Sequence, residues 1–145
     1  MSEREEQRLA EDVGESMYAR DRACQALGMT LEAIGPGHAR LRMAVTEDML
    51  NGHETCHGGL IFTLADSAFA YACNACNRTT VALGAQITFV GPAGRGDVLI
   101  AEAKERSRTR RTGVYDVEVS TEDGRSIALF RGNAYEIKGT VIERD

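Results

Sequence analysis

The chain has 145 residues, 43% of them hydrophobic and 27% charged, with 17 Lys and Arg against 22 Asp and Glu. That is the length and composition of one globular domain, with enough apolar side chains to offset chain entropy. The net charge of −5 excludes a general nucleic-acid binder, and no apolar run reaches the ~20 residues that a membrane-spanning helix needs.

Residues Met1 to Gln7 are charged, with no apolar run behind them. No secretory signal is expected, and the predicted location is the cytoplasm. Ser2 to Cys24 carries Leu9, Val13 and Met17 at helical spacing, which predicts an amphipathic helix. Met29 to Ile34 and Ala39 to Val45 read as strands joined by the turn Gly35-Pro36-Gly37. Thr46 to Gly59 reads as a loop, long enough to suggest function.

Leu60 to Ala75 is apolar nearly all round and predicts a buried helix. Four strand-like runs follow: Val81 to Val90, Val98 to Arg106, Val114 to Thr121 and Ile127 to Ile137. Glu122-Asp123-Gly124-Arg125 marks a hairpin between the last two. Strands gathered around one central helix imply an α+β layer arrangement. One sheet face cannot cover a helix that is apolar all round. Either the sheet curls around it or a second subunit covers the rest.

The sequence has four cysteines, Cys24, Cys56, Cys73 and Cys76. Without a secretory signal they read as free thiols, and Cys73 and Cys76 as small buried hydrophobes rather than a redox or metal pair. His53-Glu54-Thr55-Cys56-His57 spells the zinc-protease pentad. That chemistry needs the pentad on a helix, and here Asn51-Gly52 and Gly58-Gly59 break the chain on both sides. No metal site is expected.

Two features could carry chemistry. His57-Gly58-Gly59 opens the apolar helix, where unpaired N–H groups and the positive end of the helix dipole suit an anion, or an oxygen that becomes anionic. Asp66 stands in the middle of that helix among Leu64, Ala65, Ala68 and Phe69, where a carboxylate is costly unless it is used or paired. Gly58 and Asp66 are eight residues apart, about 12 Å along a helix. If both act on one carbonyl, they must come from two subunits with antiparallel helices, related by a two-fold axis. A further feature is Arg106, Arg108, Arg110 and Arg111. In an extended chain, Arg106, Arg108 and Arg110 share one face, a patch suited to phosphates.

His57-Gly58-Gly59 followed by Leu60 to Asp66 resembles the signature of the hotdog-fold acyl-CoA thioesterases, above all those of phenylacetic acid degradation. Asn51-Gly52 ahead of it, the run Gln86 to Ala93 and Arg110-Arg111-Thr112 extend the resemblance over nearly the whole chain. The resemblance implies one hotdog domain over residues 1–145, a curled antiparallel sheet wrapped around the long helix. It implies hydrolysis of a small, aromatic acyl-CoA (phenylacetyl or hydroxyphenylacetyl type) in a dimer or dimer of dimers, with active sites at the subunit interface. Asp66 then matches the catalytic carboxylate, acting as nucleophile or as base toward water. Gly58 matches the N–H that polarises the thioester carbonyl. Asn51 matches the residue that places water or substrate, and His57 borders the same pocket. Arg110 and Arg111, with Gly91, fall on the coenzyme A side. No cofactor is implied, because coenzyme A is part of the substrate. A hydratase or dehydratase on the same fold, using His57 and Asp66 as a pair, and a non-catalytic acyl-CoA binder are the alternatives.

Overall fold

In the computed structural model, which describes residues 1–144, the chain opens on a capped helix. Ser2 Oγ accepts the Glu5 N–H and the Glu5 carboxylate accepts the Ser2 N–H, the reciprocal box that starts α1 (Glu3–Arg20). The expected helix to Cys24 breaks at Asp21. Its carboxylate accepts the Cys24 N–H and starts a second, short helix, α2 (Arg22–Ala26). Aspartate is a strong N-cap and a poor interior residue, so the helix restarts there. Val13 and Gly14 are buried, and Gly14 lies so close to Leu31 and Ile34 that a methyl there would sit 3.0–3.1 Å from both.

All six expected strands form: β1 (Thr30–Gly35), β2 (His38–Ala44), β3 (Thr80–Phe89), β4 (Val98–Thr109), β5 (Thr112–Thr121) and β6 (Ser126–Glu136). They make one antiparallel sheet in the order β1-β2-β4-β5-β6-β3. Strands β4 and β5 run past the predicted ends to a two-residue turn, Arg110-Arg111, with Arg110 at φ 36°. Register shifts at Leu31/Ala33, Ala82/Gly84, Glu105/Ser107 and Val119/Ser120 interrupt the ladders. Such bulges bend and twist a sheet, and this one curls around the central helix α3 (Gly58–Asn74) in the hotdog arrangement.

Helix α3 begins two residues before the expected Leu60. Its Ile61, Leu64, Ala65, Ala68, Phe69 and Ala72 are buried against the sheet. The Phe69 ring packs 5.6 Å from Tyr115 of β5 and 5.8 Å from Phe130 of β6. Gly132 lets it approach, since a methyl there would come within 2.8 Å of the ring. Truncating such a ring to alanine typically costs about 3–5 kcal/mol. At the far end of the helix, Asn74 brackets Thr80: its Oδ1 accepts the Thr80 N–H and its Nδ2 donates to the Thr80 carbonyl. This joins the end of α3 to the start of β3. All four cysteines are free; Cys73 is buried as expected of a small hydrophobe, whereas Cys76, also expected to be buried, is only partly so, because it lies beyond the end of α3 (Asn74).

The sheet ends on β3, and Val81, Leu83 and Phe89 of that strand are exposed, as is Leu129 beside it on β6. The free edge of β3 is therefore apolar as well as unpaired, a combination that edge strands normally avoid.

Candidate active site

The loop ahead of α3 is pinned on three sides. Asn51 Oδ1 accepts the N–H groups of His53 and Thr55, and Asn51 Nδ2 donates to Thr55 Oγ1. The Cys56 N–H donates to Ala93, and the His57 N–H to Met49. The expected role of Asn51 in placing water or substrate thus has a competing employment: its side-chain oxygen shapes the loop. The His53–His57 pentad is turn and bridge, not helix, as the flanking breakers require.

His57 is the N-cap of α3, at φ −59° and ψ 131°. Its Nδ1 accepts the Gly59 N–H at 3.3 Å, and its carbonyl accepts those of Leu60 and Ile61. Among the described residues, the Gly58 N–H meets no acceptor. Of the orphan donors at this helix start, one remains open, and it belongs to the glycine singled out in the sequence. Histidine is not a favoured cap, so this function of His57 had no signal in its residue type. A methyl built on Gly58 would lie 3.1 Å from Cζ of Phe89, whose ring tip rests on the helix start. Phe89 was not among the expected site residues.

Asp66 lies two turns along, on the helix face it shares with Phe62 and Phe69 by spacing. Those rings both meet Phe130 of β6, 5.4 and 5.8 Å away, so this face of the helix lies toward β6. It is half-buried and makes no hydrogen bond or ion pair among the described residues. Desolvation raises its pKa above the usual carboxylate range. Gly58 and Asp66 belong to one unbroken helix, so the separation of about 12 Å stands. His57, one residue further back, forms no pair with Asp66 within one chain, which removes the hydratase-type dyad from that chain.

The expected arginine face does not exist. The β4 ladder slips by one residue between Glu105 and Ser107, so Arg106 is an inserted residue on the outer face, 3.5 Å from Asp116. The slip turns Arg108 inward. There it donates to the Cys73 carbonyl, to Tyr115 Oη and to Glu136 Oε1, at 2.9–3.0 Å. It closes the C-terminal end of α3 and is unavailable to a phosphate. Arg110 and Arg111 are exposed at the β4–β5 turn and make no ion pair among the described residues. Gly91 is also structural: a methyl there would sit 2.7 Å from the Ser126 carbonyl, so the residue is needed where the chain leaves β3.

Comparison with known proteins agrees with this geometry. Residues 53–128 match the model of the thioesterase superfamily. The chain is 44% identical over 126 residues to the acyl-coenzyme A thioesterase PaaI of Escherichia coli, covering 87% of this chain and 90% of that one. The solved structure of the E. coli PaaI protein, from the phenylacetic acid degradation operon, superposes with a TM-score of 0.91 at 42% identity, over 92% of this chain and 97% of that one. A single-residue mutant of the phenylacetic acid degradation protein PaaI from Thermus thermophilus gives 0.78 at 39% identity, over 81% of this chain and all of that one (100%). With a matching family model, a similar relative over most of its length and the hotdog arrangement of α3 in its sheet, the chain belongs to the thioesterase superfamily.

Proposed function

We propose that this protein hydrolyses small, aromatic acyl-CoA thioesters of the phenylacetyl or hydroxyphenylacetyl type to the free acid and coenzyme A. The observation that carries the reading is the pair of uncommitted groups on α3, the Gly58 N–H and the half-buried Asp66 carboxylate. The aromatic acyl group is supported by the similar solved structures, both described by phenylacetic acid degradation.

The chemistry needs no metal and no cofactor. The thioester oxygen accepts the Gly58 N–H at the positive end of α3. Asp66 takes a proton from water as the water oxygen bonds to the acyl carbon. The tetrahedral oxyanion then collapses, the C–S bond breaks and coenzyme A leaves as a thiolate, which receives the proton. A raised pKa suits a carboxylate that must hold a proton for part of this cycle.

One chain cannot bring Gly58 and Asp66 to one carbonyl. In our reading, two copies pair along the apolar edge of β3, with their α3 helices antiparallel, so that each site takes Gly58 from one subunit and Asp66 from the other. Arg110 and Arg111 then serve the coenzyme A phosphates. Two such dimers can assemble into a tetramer.

The test is free-thiol release from phenylacetyl-, hydroxyphenylacetyl-, acetyl- and decanoyl-CoA. The aryl substrates are expected to show the highest kcat/KM. A preference for decanoyl-CoA would overturn the aromatic assignment, and no release from any of them would overturn the thioesterase reading for acyl-CoA.

A further inference from the structure

The ring of Phe89 stands beside Gly58, the residue that carries the open donor at the start of α3. Its Cζ, Cε1 and Cε2 are the atoms nearest to a methyl built on Gly58, at 3.1, 3.4 and 3.5 Å. The ring therefore points its tip at the helix start. Phe89 is 50% exposed, so the residue is not sealed into the core.

The backbone under this ring is fixed. Phe89 pairs with Ala128 on β6, and the next two N–H groups, of Val90 and Gly91, both donate to the Ile127 carbonyl, at 2.9 and 3.2 Å. Gly91 is packed against Ser126 with no room for a side chain. Alternation on β3 places Ala85, Ile87 and Phe89 on the face toward α3, since they pair with Gly132, Phe130 and Ala128, which are buried. The row runs from a large ring at Gly58 to a small alanine away from it.

We propose that Phe89 is the specificity-determining residue of the acyl pocket, selecting flat aryl groups over long flexible chains. The inference rests on the thioesterase reading above. A carbonyl oxygen bonded to the Gly58 N–H stands about 2.9 Å from that nitrogen. The group on the acyl carbon then lies within reach of the Phe89 ring. A planar aryl group gains an offset or edge-to-face contact there, which an alkyl chain cannot make, and the ring occupies the space a long chain would need.

The experiment compares kcat/KM for phenylacetyl-CoA and decanoyl-CoA in the wild type, Phe89→Ala and Phe89→Leu, with dimer dissociation followed by sedimentation. Phe89→Ala is expected to lower the aryl-to-alkyl ratio by roughly five-fold or more, in line with the worth of one aromatic pair. Phe89→Leu, which restores bulk without a ring, is expected to keep decanoyl-CoA excluded while losing the aryl gain. An unchanged ratio overturns the proposal. So does a parallel fall on both substrates with a weakened dimer, which would make Phe89 an interface residue only. Absence of all thioesterase activity in the wild type would instead overturn the reading on which the inference rests.

Discussion

His57 Nδ1 accepts the Gly59 N–H at 3.3 Å, and this leaves the N–H of Gly58 as the free donor at the start of α3 among the described residues. The cap and the open donor are adjacent residues with opposite tasks. The imidazole closes one orphan N–H so that the helix start is held in place, and the bare glycine beside it presents the other.

Gly58 occupies the first helical position, where proline is well tolerated, and His57 already has the extended ψ that a residue before proline requires. Gly58→Pro therefore deletes the donor while keeping the helix. Gly58→Ala adds the same methyl against Phe89 and keeps the N–H. Relative to Gly58→Ala, Gly58→Pro should lose about 10²–10³ in kcat, with both variants showing the wild-type circular dichroism. Equal activity of the two variants would remove Gly58 from the oxyanion site.

Asp66→Asn should lower kcat by about 10²–10⁴, the usual worth of a general base. It should also stabilise the fold at neutral pH. Desolvation raises the folded-state pKa of Asp66, so the folded protein holds this proton more tightly than the unfolded chain. That contribution is fully present below the unfolded pKa and is lost as pH rises through the folded one. The difference in Tm between Asp66→Asn and wild type should thus be largest at neutral pH and shrink on acidification. The acid limb of kcat/KM should lie above the ordinary aspartate range. A variant less stable than wild type at pH 7 would show that Asp66 has a stabilising partner.

The arginines on the two sides of Thr109 should behave differently. Arg110→Ala or Arg111→Ala should raise KM for coenzyme A thioesters with little change in kcat or Tm, and should leave a thioester lacking the nucleotide unaffected. Arg108→Ala leaves the Glu136 carboxylate to Arg78 alone and removes the donor from the Cys73 carbonyl and Tyr115 Oη, and a buried acceptor left without its partner costs about 1–3 kcal/mol. Its signature in thermal unfolding is a fall in Tm, whatever the substrate. Selective loss of coenzyme A affinity in Arg108→Ala, with Tm unchanged, would contradict the inward placement.

Periodicity made most of this fold legible. The apolar run of α3 and the six strand-like runs all formed, and where one face is buried, as on β2 and β5, alternation leaves a regular imprint. What was not legible depends on one-residue events. The bulge at Glu105/Ser107 reverses the side that Arg108 faces, and nothing in the residue types around it announces an inserted residue. The break at Asp21 was readable from its capping chemistry but was masked by the continuing helical spacing. Gly58 and Asp66 stood out because each is anomalous where it stands. Phe89 did not, since a phenylalanine in a strand is ordinary. Its placement against Gly58 arises from the meeting of β3 with the start of α3, a long-range contact that no local pattern encodes.

The most direct measurement is subunit complementation between Asp66→Asn and Gly58→Pro, each nearly inactive alone. If every site takes Gly58 from one subunit and Asp66 from the other, a heterodimer has one site with both lesions and one with neither. Random exchange in an equal mixture makes half the dimers mixed, so thiol release should recover to about a quarter of the wild-type rate. If mass spectrometry verifies exchange and the mixture stays as inactive as its parents, both groups act from the same chain, and the shared site is contradicted.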